Sequence, residues 1–262
     1  MYYRLIAYVA MGGAMAAISF VVYYRRLEFL AAGATHSALL AVVLGVLLEY
    51  YTGLNHYVLA LLIGLAVIYA AGVLVKMGLT PEKASALLVS FTSASAVLSV
   101  HYALTMMPGR VSLSALILGD PLLLTVDEAV LGITLSFTII AAVYLLRRAV
   151  VETSVDEVSA KIAGLNTAFY DLVVYTLIGA VTIGMLRLAG YVMEHVFVLL
   201  PALATAEFSG STDEHLVLTI TAGVLSALLG FLLSYLLRSI PTGVTGLLLL
   251  ALFILSRLKP RR

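Results

Sequence analysis

Nine apolar segments of membrane-spanning length follow one another along the chain, and they constrain its fold more than any other feature. Each is about 17–23 residues long, close to the roughly 20 residues that a helix needs to cross a bilayer. They lie near residues 5–24, 29–48, 56–76, 84–104, 128–146, 171–187, 190–206, 215–237 and 241–257. Inside a bilayer the backbone can satisfy its own hydrogen bonds as a helix. The sequence therefore predicts an all-α, polytopic membrane helical bundle of about eight or nine transmembrane helices, forming one domain over residues 1–262.

Two pairs of these segments meet so closely that the chain has almost no room for a loop. They meet around residues 24–29 and 187–190. At both places the helices either run on or break within the membrane.

Composition excludes several classes of function. The chain is 63% hydrophobic and only 11% charged, whereas soluble domains are typically about 25% charged. A net charge of +1 without a basic stripe gives no indication of nucleic-acid binding. The lack of cysteine excludes disulfides, thiolate metal sites and cysteine nucleophiles. No G-x-x-x-x-G-K-[ST] motif occurs, so we expect a protein that is not an enzyme and does not hydrolyse ATP itself.

Lysine and arginine positions orient the chain in the membrane. With nine alternating spans and an external N-terminus, eleven of the fifteen fall on one side: Arg25, Arg26, Lys76, Lys83, Arg147, Arg148, Lys161, Arg257, Lys259, Arg261 and Arg262. The other side receives Arg4, Arg110, Arg187 and Arg238. Because cytoplasmic loops carry the excess of positive charge, we expect a cytoplasmic C-terminus and an external segment at residues 110–127. We expect the cell membrane as the location.

The stretch Thr153–Leu165, TSVDEVSAKIAGL, lies in the longest run that cannot span a membrane, residues 147–171. Ser154 and Glu157 have the spacing of a capping box, which predicts a helix start at Ser154. Gly164 stands where a helix of about nine residues would end. Glu157 and Lys161 form an i,i+4 pair in the favourable order.

Val155, Val158 and Ile162 fall on one face of this short helix. An isolated helix of this length is marginal in water, since about 12–15 residues are needed. The stretch is either an ordinary cytoplasmic loop or an element that docks on a partner.

Some ionisable residues fall inside or near the apolar segments, where such residues indicate function. His36 lies about two turns into the second segment, and Glu194 and His195 lie about one turn into the seventh. His101 is near the outer end of the fourth and is expected at the membrane interface. Together they are candidate ligands for a divalent cation.

Each candidate also has a structural alternative. His36 can be a neutral histidine bonded to a neighbouring carbonyl, and Glu194 can pair with Arg187. Adjacent helical residues point about 100° apart, so Glu194 and His195 cannot both face one ligand on a regular helix. His56 and His215 flank the segments and are expected to be solvated.

Five stretches of the sequence, in order, resemble the permease subunits of zinc/manganese-type metal-ion ABC importers. They are RRLEFLAAGATHSALL at 25–40, LILGDPLLLTVDEAVL at 116–131, TSVDEVSAKIAGL at 153–165, GYVMEHVFVLLPALATA at 190–206 and the closing PTGVTGLLLLALFIL from 241. The resemblance covers most of the chain. It implies a membrane pathway formed by a permease dimer, metal delivered by an extracellular binding protein, and a separate cytoplasmic ABC ATPase.

The resemblance also implies roles for individual residues. Contact with the ATPase falls to Ser154, Asp156, Glu157, Ala160, Lys161 and Gly164. His36 matches the metal-handling histidine of the pathway. The family usually has an aspartate four residues before that histidine, where this chain has Ala32, and Glu194 and His195 occupy positions that are usually apolar or small. The carboxylate for a cation would then come from Glu194.

Three classes of function stay open. The first is an importer permease for a divalent transition metal, which is cargo rather than a permanently bound cofactor. The second is an ABC permease for another cargo, which Ala32 favours. The third is a channel or embedded protein outside ABC transport. Imidazole and carboxylate ligands serve Zn²⁺, Mn²⁺ and Fe²⁺ alike.

Overall fold

The computed structural model describes residues 2–107 and 113–258, without the side chains of residues 113–115. Its helices are α1 Tyr2–Arg25, α2 Glu28–Thr52, α3 His56–Lys76, α4 Pro81–Met106, α5 Leu113–Leu118, α6 Val126–Val155, α7 Glu157–Ile162, α8 Thr167–Ala189, α9 Tyr191–Thr205, α10 Thr212–Leu237 and α11 Pro241–Leu258. Short 3₁₀ turns lie at Pro121–Leu123 and Ala206–Phe208.

The predicted fold class is confirmed. Within the described ranges, nine helices are long and apolar enough to cross a membrane, and each coincides with a predicted segment. The helix containing residues 128–146 is longer than predicted, because α6 continues to Val155. The basic tail at 259–262 lies outside the described residues, and so do residues 110–112 of the predicted external segment at 110–127.

Helix α1 occupies the centre of the bundle, and it packs most extensively against α6 and α10 and also against α8 and α9. Its middle is buried almost throughout, from Met11 to Val22. Gly12 of α1 lies against Gly223 of α10, where a Cβ on Gly12 would come within 2.7 Å of the Gly223 carbonyl oxygen. Small residues thus let these two helices approach closely, as is common between membrane helices.

Helices α2, α3 and α4 form a second group beside this centre. Helix α2 packs against α3 and α4, and it also contacts α8 and α9. Much of α3 and α4 faces outward from the bundle. Helix α2 therefore lies between the outer helices and the helices that surround α1.

Both closely spaced pairs of helices are broken rather than continuous. Helix α1 ends at Arg25 and α2 begins at Glu28. Helix α8 ends at Ala189, and Gly190, at a φ of 75°, separates it from α9. A Cβ on Gly190 would collide with the backbone of Leu118 and Gly119. Glycine at this break lets the segment after α5 pack against the start of α9.

Ion pairs join residues that the predicted topology places on the same side of the membrane. On the predicted cytoplasmic side they are Arg25–Asp171 at 2.8 Å, Arg147–Asp213 at 2.5 Å and Arg257–Glu207 at 2.8 Å. On the predicted external side, Arg187 lies 2.9 Å from Glu128. This agreement supports alternating spans.

Candidate functional site

His36 and His195, predicted as candidate ligands, meet where α2 faces α9. The centroids of their rings are 5.4 Å apart, and the ring planes are nearly perpendicular. Tyr191 lies one turn before His195, and its hydroxyl oxygen is 2.8 Å from Nδ1 of His36. The Ser93 hydroxyl of α4 lies 2.9 Å from the same nitrogen. Three membrane helices therefore converge on His36, and its Nδ1 is held by two hydroxyl groups.

His195 is held by its own helix and by α2. Its Nδ1 lies 3.2 Å from the backbone carbonyl oxygen of Tyr191, and its Nε2 lies 2.7 Å from the Thr35 hydroxyl oxygen. A carbonyl can only accept, so the neutral tautomer that fits carries its proton on Nδ1. Nε2 then presents a lone pair toward Thr35. We call His36, His195, Tyr191, Thr35 and Ser93 the histidine cluster.

Glu194 lies on a different face of α9 from His195. Its side chain is completely buried, and neither carboxylate oxygen has a hydrogen-bond partner among the described residues. The alternative pairing of Glu194 with Arg187 is wrong, because Arg187 pairs with Glu128 instead. Glu194 follows the buried face that includes Phe197, Val198 and Pro201. The structure does not bring this carboxylate into the histidine cluster.

The other histidines are separate from the cluster. His101 is exposed on α4, and His56 lies 3.1 Å from Glu49 at the end of α2. The expectation that His215 is solvated is wrong. It is buried, its Nε2 lies 3.0 Å from the Ala202 carbonyl oxygen, and its ring packs against aromatic rings of α1.

The cluster itself holds no carboxylate. In the described part of the chain, no three histidine, aspartate, glutamate or cysteine residues are grouped closely enough to hold a metal. Ala32 borders the cluster, since its carbonyl oxygen accepts a 2.7 Å hydrogen bond from the Thr35 hydroxyl. A carboxylate at position 32 would stand one turn from His36, on the same face of α2.

The sequence did not single out Tyr191, Thr35 and Ser93. A signal existed for Tyr191, because it precedes His195 by four residues and so shares its helix face. Thr35 is adjacent to His36 in sequence but contacts a different histidine. Ser93 lies 57 residues from His36, and only the packing of α2 against α4 joins them.

The short helix α7 is capped differently from the prediction. The predicted capping box of Ser154 with Glu157 is wrong, because Ser154 is still within α6 and donates its hydroxyl hydrogen bond to the Val150 carbonyl. Asp156 caps α7 instead, accepting from the backbone N–H groups of Val158 and Ser159 at 3.1 and 3.0 Å. Helix α7 therefore has six residues rather than about nine.

Other predicted features of this stretch are confirmed. Lys161 Nζ lies 2.6 Å from a Glu157 carboxylate oxygen. Gly164 has a φ of 85°, in the left-handed region that glycine adopts freely. Ala160, which the resemblance implied as an ATPase contact, is buried instead of exposed.

Two carboxyl groups at α7 have lowered pKa values. Hydrogen bonds from the Ser159 hydroxyl and backbone lower the pKa of Asp156. The hydrogen bond and charge of Lys161 lower the pKa of Glu157. Both groups are therefore ionised at neutral pH.

The apolar face formed by the last residue of α6 and by α7 is uncovered. Val155, Val158 and Ile162 are 76%, 69% and 83% exposed. Their Cα positions belong to the predicted cytoplasmic side, where apolar surface has no lipid to face. Apolar side chains exposed in this way are typical of a docking surface.

A separate apolar cavity of about 440 Å³ opens between α2, α3, α6 and α8. Tyr57, Glu128 and Arg187 line it toward the predicted external side. None of the cluster residues lines it. The cavity and the histidine cluster are therefore distinct features.

Comparison with known proteins identifies the class. The sequence profile described as the ABC 3 transport family matches residues 1–259, and the chain belongs to this family. The chain is 24% identical over 196 residues to the manganese transport system membrane protein MntC of Listeria monocytogenes, covering 74% of this chain and 69% of that protein. A protein of the same name from Listeria innocua matches to the same extent.

Two solved structures share the fold. The PsaBC complex of Streptococcus pneumoniae, solved with a Fab, matches with a TM-score of 0.85 at 18% identity, over 98% of this chain and 91% of that chain. An inward-facing structure described as a metal-chelate type ABC transporter matches with a TM-score of 0.73 at 15% identity, over 97% and 84%. The family predicted from sequence is thus confirmed. The chain is a multi-pass membrane component of ABC transport, and the class outside ABC transport is excluded.

Proposed function

We propose that this chain is the permease subunit of an ABC importer for a divalent transition metal, with the whole chain forming one transmembrane domain. The observation that carries the proposal is the meeting of His36 and His195 from two separate spans in a member of this family. Ionisable residues within membrane spans generally mark substrate or ion pathways. The names of the Listeria relatives support a metal cargo.

His36 and His195 are the cargo-contacting residues of this proposal. Their ring centroids lie 5.4 Å apart, and neutral imidazole nitrogen is a common metal ligand. Glu194 and His101, which the sequence also suggested, are left out of the cargo set. Glu194 is buried on another face of α9, and His101 is exposed away from the cluster. The metal passes as cargo, and the permease needs no permanently bound cofactor.

The energy comes from a separate cytoplasmic ABC ATPase that docks on α7. The sequence holds no P-loop and so has no site to cradle ATP phosphates. The apolar residues Val158 and Ile162, flanked by the charged pair Glu157 and Lys161, give α7 an apolar contact with a polar rim. This arrangement supports a direct role of α7 in ATPase contact. For the chain itself we propose a transport role and no enzymatic one.

The remaining features of the importer follow from orientation and family. The excess of lysine and arginine supports a cytoplasmic C-terminus in the cell membrane. An extracellular binding protein delivers the metal to the opposite side. A second copy of the permease completes the pathway.

The proposal is tested by reconstituting the full chain with its ATPase and binding protein in liposomes. Metal loaded on the binding protein should stimulate ATP hydrolysis, and the isolated chain should hydrolyse none. His36→Ala should abolish the stimulation while the ATPase still co-purifies, whereas His101→Ala should behave as wild type. ATP hydrolysis by the complete importer that no divalent metal stimulates would contradict the proposal.

A second candidate is an ABC permease for another cargo, such as a metal chelate. The lack of a carboxylate in the histidine cluster favours it, because a bare divalent cation is better compensated by anionic ligands. The same reconstituted importer separates the two candidates. Stimulation by a chelated metal and not by the free ion on the binding protein would support the second.

A further inference from the structure

The apolar cavity between α2, α3, α6 and α8 has charged residues at one end and apolar walls elsewhere, which is the pattern that an amphiphile requires. We propose that it binds a phospholipid of the external leaflet, with an acyl chain in the cavity and a headgroup that joins a phosphate to a primary ammonium beside Arg187 and Glu128. Phosphatidylethanolamine has this chemistry. The inference concerns a part of the molecule that the proposed function does not use.

The cavity opens sideways between two membrane spans. Helices α3 and α6 both pack against α8, and Leu61 of α3 and Leu131 of α6 belong to the cavity wall. These side chains are still 37% and 54% exposed, which places them at the opening. Because α3 and α6 are both spans, the opening faces the acyl chains of the bilayer rather than water. A lipid chain can therefore enter directly from the membrane.

The walls of the cavity suit a hydrocarbon chain. The volume of about 440 Å³ lies within the range of about 300–1,000 Å³ that is usual for ligand pockets. Water would need several polar partners in such a space, whereas a hydrocarbon chain gains van der Waals contacts with the wall. The Thr138 hydroxyl, which is part of the wall, donates to the Thr134 carbonyl of its own helix at 2.8 Å. An acyl chain there leaves this donor satisfied.

The length of the cavity matches one leaflet of a bilayer. On α8 the lining runs from Ala180 to Leu188, a rise of about 12 Å along the helix. On α6 it runs from Glu128 to Thr138, a rise of about 15 Å. Half of the hydrocarbon core is also about 15 Å thick. With its charged end at the external surface, the cavity therefore reaches from the headgroups to near the middle of the membrane.

The charged end presents both signs of charge to a headgroup. Nε of Arg187 lies 2.9 Å from a Glu128 carboxylate oxygen, and the Arg187 side chain is 43% exposed. This ion pair uses only one of the N–H groups of the guanidinium, so other N–H groups can donate to a phosphate. The Tyr57 hydroxyl lies 3.5 Å from the same Glu128 oxygen, which is a weak contact that an ammonium group can replace. His56, also at this end, pairs with Glu49.

The two charges discriminate among phospholipids. A phosphate beside Arg187 is common to all of them. Phosphatidylglycerol has no ammonium group, so it would bring a second negative charge to Glu128. The quaternary ammonium of phosphatidylcholine carries no N–H group to donate. The primary ammonium of phosphatidylethanolamine can donate a charge-assisted hydrogen bond to the Glu128 carboxylate. The cavity should therefore prefer this lipid.

Lipid retention by the full chain tests the inference. The chain is reconstituted into liposomes that contain phosphatidylethanolamine, phosphatidylcholine and phosphatidylglycerol in equal amounts, and it is then extracted in mild detergent. Native mass spectrometry measures the lipids that stay bound. Phosphatidylethanolamine should be retained roughly three- to tenfold more than phosphatidylcholine, as expected for a charge-assisted contact at a partly exposed site. Equal retention of the three lipids, or retention of none, would overturn the proposal.

Glu128→Gln and Asp127→Asn form a matched pair of variants. Both neutralise a carboxylate in the first turn of α6, and glutamine at position 128 still fits the capping box with Thr125. Glu128 lines the cavity, whereas Asp127 does not. Glu128→Gln should remove the preference for phosphatidylethanolamine over phosphatidylcholine, and Asp127→Asn should retain it. Equal behaviour of the two variants would contradict the role of Glu128.

A second pair of variants tests where the acyl chain lies. Ala180 belongs to the cavity wall, so Ala180→Leu fills part of the cavity. Ala141 is exposed on α6 outside the cavity, and Ala141→Leu is the control. Ala180→Leu should lower the retention of all three lipids, and the control should not. Unchanged retention in a folded Ala180→Leu variant would overturn the placement of the chain. Thermal unfolding checks folding, and the Glu128 pair decides the outcome if Ala180→Leu does not fold.

The same spectra reveal whether a second copy of the chain occupies the cavity instead. Loss of a dimer in Ala180→Leu, with lipid retention unchanged, would show a protein interface and overturn the lipid proposal. The result does not depend on the cargo of the importer. Lipid retention without a metal response would contradict the proposed function alone, and a metal response without selective lipid retention would contradict this inference alone.

Discussion

Replacing Glu194 with methionine should stabilise the protein. The carboxyl group is completely buried, and neither oxygen has a hydrogen-bond partner among the residues that the structure describes. A buried acceptor without a partner retains the cost of leaving water. Methionine is similarly long and unbranched, and it fills irregular apolar space without polar oxygens. The substitution therefore removes the cost while keeping most of the packing with neighbours such as Phe197.

The size of the effect follows from the cost of an unsatisfied polar group. That cost is about 1–3 kcal/mol for a neutral group, and the free energy of unfolding should rise by a similar amount. For a chain of this size, each kcal/mol corresponds to roughly 2–4 °C in the unfolding temperature. Glu194→Met should therefore raise the unfolding temperature by several degrees. Glu194→Gln should not, because the amide leaves polar atoms equally unsatisfied.

Thermal unfolding of both variants in detergent, followed by intrinsic tyrosine fluorescence, measures this difference. A lower unfolding temperature for Glu194→Met than for wild type would refute the reasoning, because it would mean that the carboxyl group makes a stabilising contact. Metal uptake should survive in Glu194→Met, since Glu194 lies outside the proposed cargo set. A stabilised variant that no longer transports would contradict that placement.

Four further predictions concern packing, docking, the pH dependence of docking, and orientation. Gly12→Ala should destabilise the fold by about 1–3 kcal/mol, because the new Cβ would collide with the backbone of α10. Gly243→Ala is the control: no atom lies within 4 Å of its new Cβ, so it should have little effect in the same unfolding assay. Asp156→Ala should reduce co-purification of the ATPase more than Ser154→Ala does, since Asp156 caps α7. Equal yields of co-purified ATPase from the two variants would contradict the role of capped α7 in docking. Because the pKa of Asp156 is lowered in the folded protein, its stabilising cap of α7 is fully present above the pKa that this carboxyl group has in the unfolded chain, and it is lost as the pH falls through the folded pKa. ATPase binding that depends on the cap should weaken over the same acidic range, which binding measured at several acidic pH values checks. Ser159→Cys should react with an impermeant maleimide in inside-out vesicles only, and labelling in intact cells would reverse the topology.

The spans could be predicted from sequence because each depends on local hydrophobicity alone. A run of apolar residues long enough to cross a bilayer has few alternatives to a helix. The end of α6 was harder to predict, because polar residues follow Leu146 and the helix still continues to Val155. Long-range contacts support that extension, since Arg147 pairs with Asp213 and Arg25 donates to the Thr153 hydroxyl.

The start of α7 was misplaced for a related reason. Ser154 and Asp156 are both good N-cap residues, and the sequence alone favoured Ser154 because Glu157 completes a capping box. The longer α6 uses Ser154 inside a helix, which leaves Asp156 as the first residue free to cap the next one. The prediction for Gly164 was confirmed because it depended only on local backbone conformation.

The candidate site was partly predictable for the same physical reason. His36 and His195 were identified because imidazole is unusual in apolar spans. Their mutual contact, and the contact of Ser93 with His36, depend on how α2, α4 and α9 pack, which no local pattern contains. The prediction that His215 is solvated was wrong. Its position near a helix start suggested solvent, but aromatic residues of α1 cover it.

ATP-driven metal uptake into liposomes containing the complete importer tests the central claim most directly. Accumulated metal is measured for wild type, His36→Ala, His195→Ala and the exposed control His101→Ala at matched protein content. The account predicts that wild type and His101→Ala accumulate metal and that the two cluster variants do not. Wild-type uptake by both His36→Ala and His195→Ala would contradict it.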